Sequence, residues 1–270
     1  MSNHELAASC VAKLCNIYAK SEAEAITKIL LENYTNTQLS TTALELQLSE
    51  LMAYRPIQYV IAQAWFYNDV YKVNEHVLIP RPETEELVWH VLTYCQSKNI
   101  TNSILLDIGT GSGCIPISIK RKIPTMQCYG VDVSSAALEV AMHNSNILQA
   151  PVTYALCNVL DSIQWNMLPK VVDVIISNPP YITPSETELM EQNVLEYEPH
   201  LALFVPENDP LLFYKKITTL AIQYKKRPMI FFEINPLYAL EIKALLTPYY
   251  PKVEIIQDVT GKQRFVHACM

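Results

Sequence analysis

Asn178-Pro179-Pro180-Tyr181 is the stretch whose residue types and spacing best suit a defined chemistry. Two consecutive prolines have fixed φ and push the residue before each into extended geometry, so Asn178 and the Pro179 carbonyl are held in a stiff loop. An Asn side-chain oxygen beside a rigid main-chain carbonyl offers two neighbouring hydrogen-bond acceptors, and the Tyr181 ring can cover a flat group. That constellation suits a planar NH2 group. Asn and Pro are also ordinary turn formers, so in isolation the four residues read equally well as a plain turn.

The residues before the loop place it. Positions 171–176 are β-branched except for Asp173 and read as a buried strand. The loop therefore follows the carboxyl end of a strand, where open α/β sheets bind ligands. A second motif lies upstream: Asp107-Ile108-Gly109-Thr110-Gly111-Ser112-Gly113 follows a strand over 104–108 and runs into a helix over 114–122. Three of the chain's five glycines stand here, where they let the backbone approach a ligand and present amides from a helix end. The spacing is G-x-G-x-G with an acid two residues before the first Gly, not the G-x-G-x-x-G of a pyrophosphate-binding turn. Asp132 lies at the end of the next strand, 19 residues after Gly113, about where an acid that accepts both ribose hydroxyls is expected. Asp107 can face the amino group of an amino-acid tail. Together these residues favour S-adenosylmethionine over NAD, against the plainer alternative of a tight turn with no ligand.

The remaining elements must position these two loops. Residues 1–52 contain no Gly and no Pro, and Leu6, Cys10, Leu14 and Ile17, then Ala25, Ile29 and Leu30, recur at helical spacing. Ser21 followed by Glu24 reads as a capping box for a second helix, and a third runs from near Thr42 to Met52. Such a bundle serves either to bind a partner or as a cap. Residues 58–66 and 70–73 read as a β-hairpin around Asn68-Asp69, and Pro82 opens a helix to about Ser97 with acids in its first turn. Alternating strands and helices follow, with strands at 128–133, 152–157 and 229–234 and a closing pair at 253–257 and 264–268. This is the pattern of a parallel sheet covered on both faces, with a terminal hairpin. The expected division is a helical bundle over 1–54, a connector over 55–80 and a catalytic domain over 81–270.

The totals narrow the class. Half of the 270 residues are hydrophobic, which suits a well-cored globular chain, and 20 Lys+Arg against 27 Asp+Glu give a net charge of −7. That balance argues against a broad nucleic-acid footprint. Lys215-Lys216 and Lys225-Lys226-Arg227 are short basic clusters of the kind a solvated helix face explains. Seven cysteines without a C-x-x-C pair point away from a disulfide framework or a zinc site and toward a reducing cytoplasm; no metal is expected. No run approaches a membrane span, and the amino-terminal residues lack the apolar stretch of a leader.

With these motifs in hand, the sequence resembles the HemK/PrmC family, S-adenosylmethionine-dependent methyltransferases that modify the glutamine of the Gly-Gly-Gln motif in class 1 peptide chain release factors. The resemblance extends over nearly the whole chain. It includes Arg55-Pro56-Ile57-Gln58-Tyr59, Pro80-Arg81-Pro82-Glu83-Thr84-Glu85, the glycine loop, the Asn178 loop, Tyr197-Glu198-Pro199-His200-Leu201-Ala202-Leu203-Phe204 and Asp258-Val259-Thr260-Gly261-Lys262-Gln263-Arg264. It implies an α/β fold, the class I S-adenosylmethionine-dependent methyltransferase, Rossmann-like with a seven-stranded sheet whose last strand is antiparallel, plus a small N-terminal helical domain. It implies that Asp107, Gly109, Thr110, Gly111, Ser112, Gly113, Asp132, Val159 and Asn178 hold the cofactor, which leaves as S-adenosylhomocysteine. Asn178, Pro179, Pro180 and Tyr181 would hold the glutamine, with Asn178, Pro179 and Tyr181 serving the transfer and Tyr181 stacking on the amide. The expected partner is a release factor, met by a cytoplasmic monomer without direct nucleic-acid or membrane binding.

Three positions depart from the family pattern. Asn158 stands where an acid near the adenine is usual, Glu207-Asn208-Asp209-Pro210 replaces a Gly-rich stretch, and Asn235 replaces a Gly. The latter two predict locally different loops. Two other readings stay open. An N6-adenine methyltransferase would use the same two acceptors on a flipped base, although the acidic balance disfavours phosphate contacts. A non-catalytic cofactor binder would have no need of an amide-holding loop.

Overall fold

The computed structural model describes residues 3–270. Four helices come first, α1 (Asn3–Leu14), α2 (Lys20–Thr37), α3 (Thr41–Met52) and α4 (Ile57–Val60), then a hairpin of β1 (Gln63–Phe66) and β2 (Asp69–Lys72). Next come α5 (Pro82–Ser97), β3 (Ile104–Ile108), α6 (Cys114–Lys122), β4 (Gln127–Asp132), α7 (Ser135–Ile147) and β5 (Thr153–Leu156). The chain continues through β6 (Val174–Ser177), α8 (Gln192–Tyr197), α9 (His200–Leu203), α10 (Leu212–Gln223), β7 (Met229–Glu233), α11 (Ala239–Leu246), β8 (Lys252–Gln257) and β9 (Gln263–Cys269). It forms two compact units, Met1–Gln63 with Met190–Tyr197, and Ala64–Leu189 with Glu198–Met270.

The first unit buries one stripe from each helix: Cys10 and Leu14 of α1, Ala23, Ile26 and Leu30 of α2, and Leu44, Leu48 and Leu51 of α3. Two local expectations fail in it. Ser21 is not a cap, because α2 begins at Lys20 with Ala19 at its N-cap and no side-chain cap bond. Burial of Ala23 and Ile26 sets where this helix starts, and that outweighs a cap worth about 1 kcal/mol. The working cap is Ser40, whose hydroxyl accepts from the Ala43 N–H ahead of α3. Nor are residues 58–62 strand. Pro56 supplies an N-cap with its preset φ, Ile57 joins the helical core, and Ala62 in the left-handed region ends the turn before β1. In the same unit the Tyr197 hydroxyl donates to the Ala53 carbonyl at 2.6 Å.

The second unit is built on a seven-stranded sheet in the order β5-β4-β3-β6-β7-β9-β8, parallel from β5 to β7, with β9 antiparallel to both neighbours. This is the expected class I methyltransferase topology. Alternate residues of each strand feed opposite faces. Leu105, Val174, Ile176 and Phe231 join Leu87 and Val91 of α5 and Ile115 and Ile119 of α6 in one core. Leu106, Ile175, Ile230 and Phe232 join Tyr214 and Ile217 of α10 and Ile242 of α11 in the other. Each such aliphatic side chain contributes about 1.5–3 kcal/mol on burial. The β1–β2 turn puts Tyr67 and Asn68 at φ 50° and 70°, the two-residue geometry that matches strand twist.

Against that apolar background, the buried polar residues Asp107, Ser177 and Glu233 lie at or near the carboxyl ends of β3, β6 and β7. The chain leaves β3 toward β4 and later returns on the other side to β6, so the switch point falls between β3 and β6. The Ser177 hydroxyl donates to the Ile108 carbonyl at 2.6 Å and ties the two strand ends together. All seven cysteines are free. Among the described residues, no helix is long and apolar enough to cross a membrane.

Candidate active site

At these strand ends lies a cavity of about 310 Å³. Gly109, Thr110, Gly111, Ser112 and Asp132 line it from the ends of β3 and β4, Val159 after β5, and Asn178, Pro179 and Pro180 after β6. Three residues singled out in the sequence stand behind the wall instead: Asp107, Gly113 and Tyr181.

The glycine turn is shaped by its backbone. Gly109, Gly111 and Gly113 all have positive φ, but only Gly113 is also crowded: a Cβ there would meet the Tyr154 hydroxyl at 2.7 Å and Ala141 at 3.1 Å. Gly113 therefore serves packing, while Gly109 and Gly111 have open space beside them. Asn144 of α7 holds the turn from below, donating to the Ser112 and Lys72 carbonyls and accepting from the Lys72 N–H. Asp132 accepts from the Gly111 N–H at 2.9 Å and the Ser134 N–H at 3.0 Å. A carboxylate has about four acceptor sites, so two remain for hydroxyl groups.

Asp107 is the orphan of this region. It is fully buried, and neither carboxylate oxygen has a hydrogen-bond partner among the described residues. Burial pushes its carboxyl up to about 7, with the Thr110 hydroxyl nearby working against the rise and Asp132 adding to it. A buried acid without a partner is costly, and a cation placed against it removes the cost. The pair fits S-adenosylmethionine, whose amino-acid tail carries an ammonium group and whose ribose carries two hydroxyls. Val159 is buried at the wall, its carbonyl accepting from the Trp165 indole N–H at 2.9 Å. Beside it Asn158 spends its side-chain oxygen on the Leu160 N–H.

The Asn178 loop is braced by side chains distant in the chain. Asn178 Nδ2 donates to the Thr84 hydroxyl at 3.1 Å, and Thr84 donates in turn to Glu233 Oε2 at 2.7 Å. Among the described residues no group donates to Asn178 Oδ1 or to the Pro179 carbonyl. Tyr181 packs against the α10–α11 core, and its hydroxyl points to Glu233 Oε1 at 3.4 Å. It therefore supports the loop from behind instead of covering the cavity.

Several residues of the site carried no assignment in the sequence. Thr84 stands in the sequence as a member of the segment 80–85 and of a helix start, with no role of its own. Glu233 had one signal, a lone acid closing an apolar strand at the sheet end where Asp107 and Asn178 lie. Glu198 is buried and held by the Arg81 guanidinium at one oxygen and the Ile79 N–H at the other, so it anchors the segment before α5. Two of the departures brace the residues that follow Tyr181. Asn235 donates to the Tyr181 carbonyl and to Glu186, and Glu207 accepts from the Ser185 N–H and hydroxyl. A further basic run, Lys120-Arg121-Lys122, closes α6. Lys120 is spent on the Pro124 and Met126 carbonyls, Arg121 on Asp69 and the Leu148 carbonyl, and Lys122 lies over the Tyr67 ring.

Comparisons with known proteins agree with this geometry. A family model described as the methyltransferase small domain matches residues 90–200. A release factor glutamine methyltransferase of Flavobacterium psychrophilum is 37% identical over 273 aligned positions, covering 95% of each chain. One of Bacteroides thetaiotaomicron is 40% identical over 245 positions, 89% of this chain and 83% of that one. Among solved structures, the hMettl16 catalytic domain in complex with MAT2A 3'UTR hairpin 6 superposes with a TM-score of 0.57 over 73% of this chain and 74% of that one. At 18% identity that likeness concerns the fold alone.

Proposed function

The chain belongs to the release factor glutamine methyltransferase family, and from that membership we propose that it methylates the side-chain amide nitrogen of the Gly-Gly-Gln glutamine in class 1 peptide chain release factors, using S-adenosylmethionine. The observation that carries the reading is one cavity that is backed at its β3 end by a buried acid without a partner, Asp107, and lined after β6 by two unspent acceptors, Asn178 Oδ1 and the Pro179 carbonyl.

S-adenosylmethionine supplies a methyl group on a sulfonium and leaves as S-adenosylhomocysteine. Asp107 holds the ammonium of its amino-acid tail, Asp132 the ribose hydroxyls, Val159 the adenine, and the backbone of 109–113 lets the ligand approach closely. A glutamine amide is a poor nucleophile because its nitrogen lone pair is delocalised into the carbonyl. Asn178 Oδ1 and the Pro179 carbonyl accept the two N–H groups, hold them to one side and favour a nitrogen whose lone pair faces the methyl. Positioning of this kind can supply roughly 7–11 kcal/mol of a barrier, so no strong base is needed. The surplus proton leaves to water. Pro180 stiffens the loop and Tyr181 steadies it through Glu233.

The same reading makes residues 81–270 the catalytic domain, 55–80 a connector and 1–54 a helical domain that binds the factor or caps the enzyme. It makes the protein a cytoplasmic monomer without direct nucleic-acid binding. The test is transfer of labelled methyl from S-adenosylmethionine to a purified release factor, with a Gln→Asn form of its Gly-Gly-Gln motif and bare DNA as controls. Label on the unaltered factor alone is expected. Label on DNA would put the adenine reading ahead, and no label at all the non-catalytic one.

A further inference from the structure

We propose that Glu233, acting through Thr84, is a positioning residue that sets which way round the Asn178 amide stands, and so whether its oxygen or its NH2 group is offered to the acceptor glutamine. The inference rests on the glutamine-transfer reading and adds to it a control that the transfer chemistry does not itself require.

Glu233 closes β7 with only 2% of its surface exposed. Among the described residues it forms no ion pair: Arg264, whose charge acts on it, is engaged by Asp258 at 3.3 Å. This sets it apart from Glu198, which Arg81 neutralises directly. What faces the Glu233 carboxylate instead is two hydroxyls, Thr84 at Oε2 and Tyr181 at Oε1. An ionised carboxylate only accepts, so the single Thr84 proton is committed to it at 2.7 Å. The Thr84 oxygen must then accept in its other contact. It accepts from Asn178, so the NH2 end of that amide faces Thr84 at 3.1 Å and the Oδ1 end is left to the cavity.

Protonation of Glu233 removes this constraint. A carboxylic acid can donate to Thr84, whose hydroxyl is then free to donate to Asn178, and an amide flipped end for end satisfies the network equally well. The flipped amide sets NH2 against the substrate NH2 and cannot accept from it. The groups around Glu233 place this change near neutrality. Burial raises its carboxyl to about 7, Thr84 and Arg264 hold it down, Glu83 pushes it up and Tyr181 opposes the rise. On α10, the Tyr214 hydroxyl donates to the Glu233 main-chain carbonyl at 3.1 Å. The sign follows: the ionised form fixes the productive orientation, so kcat rises with pH through about 7.

The test follows both the amide and the reaction in the full-length chain. With asparagine-selective 15N labelling, the Asn178 side-chain NH2 signals are expected to shift between about pH 5 and about pH 8 with the midpoint of the kcat profile. Glu233→Gln is expected to abolish the shift and flatten the acid limb. Thr84→Val is expected to lower kcat by roughly ten- to a hundredfold while the Kd for S-adenosylmethionine and the KM for the release factor stay within about threefold. Thr84→Ser restores most of the lost rate. Asn178 signals indifferent to pH and to Thr84→Val, or an acid limb unchanged in Glu233→Gln, would overturn the assignment. A wild-type chain that labels no release factor sinks the glutamine reading, while the Asn178 signals still decide whether Glu233 orients the amide.

Discussion

The β3–β4 wall of the cavity is made almost wholly from contiguous chain and backbone groups, whereas the Asn178 wall is assembled from side chains far apart in the sequence. On the first, Gly109 to Ser112 line the cavity with a turn whose Gly109, Thr110 and Gly111 amides are held by the Val131 carbonyl and Asp132, and Asp107 stands buried behind it without a partner. On the second, Asn178, Thr84, Glu233 and Tyr181 are already linked by hydrogen bonds. One wall is left incomplete for a cationic ligand to finish; the other is completed in advance and leaves only acceptors unspent. The contrast matches two tasks, since holding a ligand gains from an unmet charge and orienting a weak nucleophile gains from rigidity.

Substitutions should separate the walls. The largest effect is expected from Asn178→Ala: kcat at saturating S-adenosylmethionine falls by about 10²–10³-fold, with a small change in cofactor affinity by calorimetry. A loss of affinity that matches the loss of rate would merge the two walls into one.

Asp107→Asn acts on the other wall. Because the buried carboxyl is held up near 7, an arriving ammonium should expel its proton, so affinity rises with pH up to that value. Calorimetry in buffers of different ionisation enthalpy should show proton release near about pH 6, abolished in the variant, whose affinity is lower by roughly ten- to a hundredfold. Binding without proton release would remove Asp107 from the cofactor. Asp132→Ala is milder: S-adenosylmethionine should bind about tenfold more weakly, with the rate at saturation little changed. An unaltered Kd refutes the ribose role.

The smallest effect is on stability of the ligand-free protein. Asp107 and Glu233, raised from 3.8 and 4.5 to about 7, retain protons in the folded state that the unfolded chain releases. Their contribution therefore falls as pH rises from about 4.5 through about 7. Asp258, held down to about 2 chiefly by the Thr260 hydroxyl, acts in the opposite sense but only at lower pH. Thermal melts should show Asp107→Asn gaining a few degrees over wild type at about pH 8 and little at about pH 5. Equal gains at both would mean the acid is not titrating.

How much of this was legible varies along the chain in a physical pattern. The glycine turn and the Asn178 loop were legible because backbone conformation is encoded by the local residues that adopt it. The parallel sheet was legible because strands buried on both faces read as apolar runs. The start of α2 and the turn at Ile57–Val60 were misread because burial, not local preference, set them. The Thr84–Glu233 bond joins residues 149 apart, and spacing carries no record of such a contact. The same holds for Asn235 and Glu207, which sequence marked only as departures and which structure shows bracing the segment after Tyr181.

The most direct measurement is tandem mass spectrometry of a release factor methylated by the wild-type chain. The account predicts one added methyl on the side-chain amide nitrogen of the Gly-Gly-Gln glutamine. A methyl on any other atom, or an unmodified glutamine under conditions where S-adenosylmethionine binds, would contradict it.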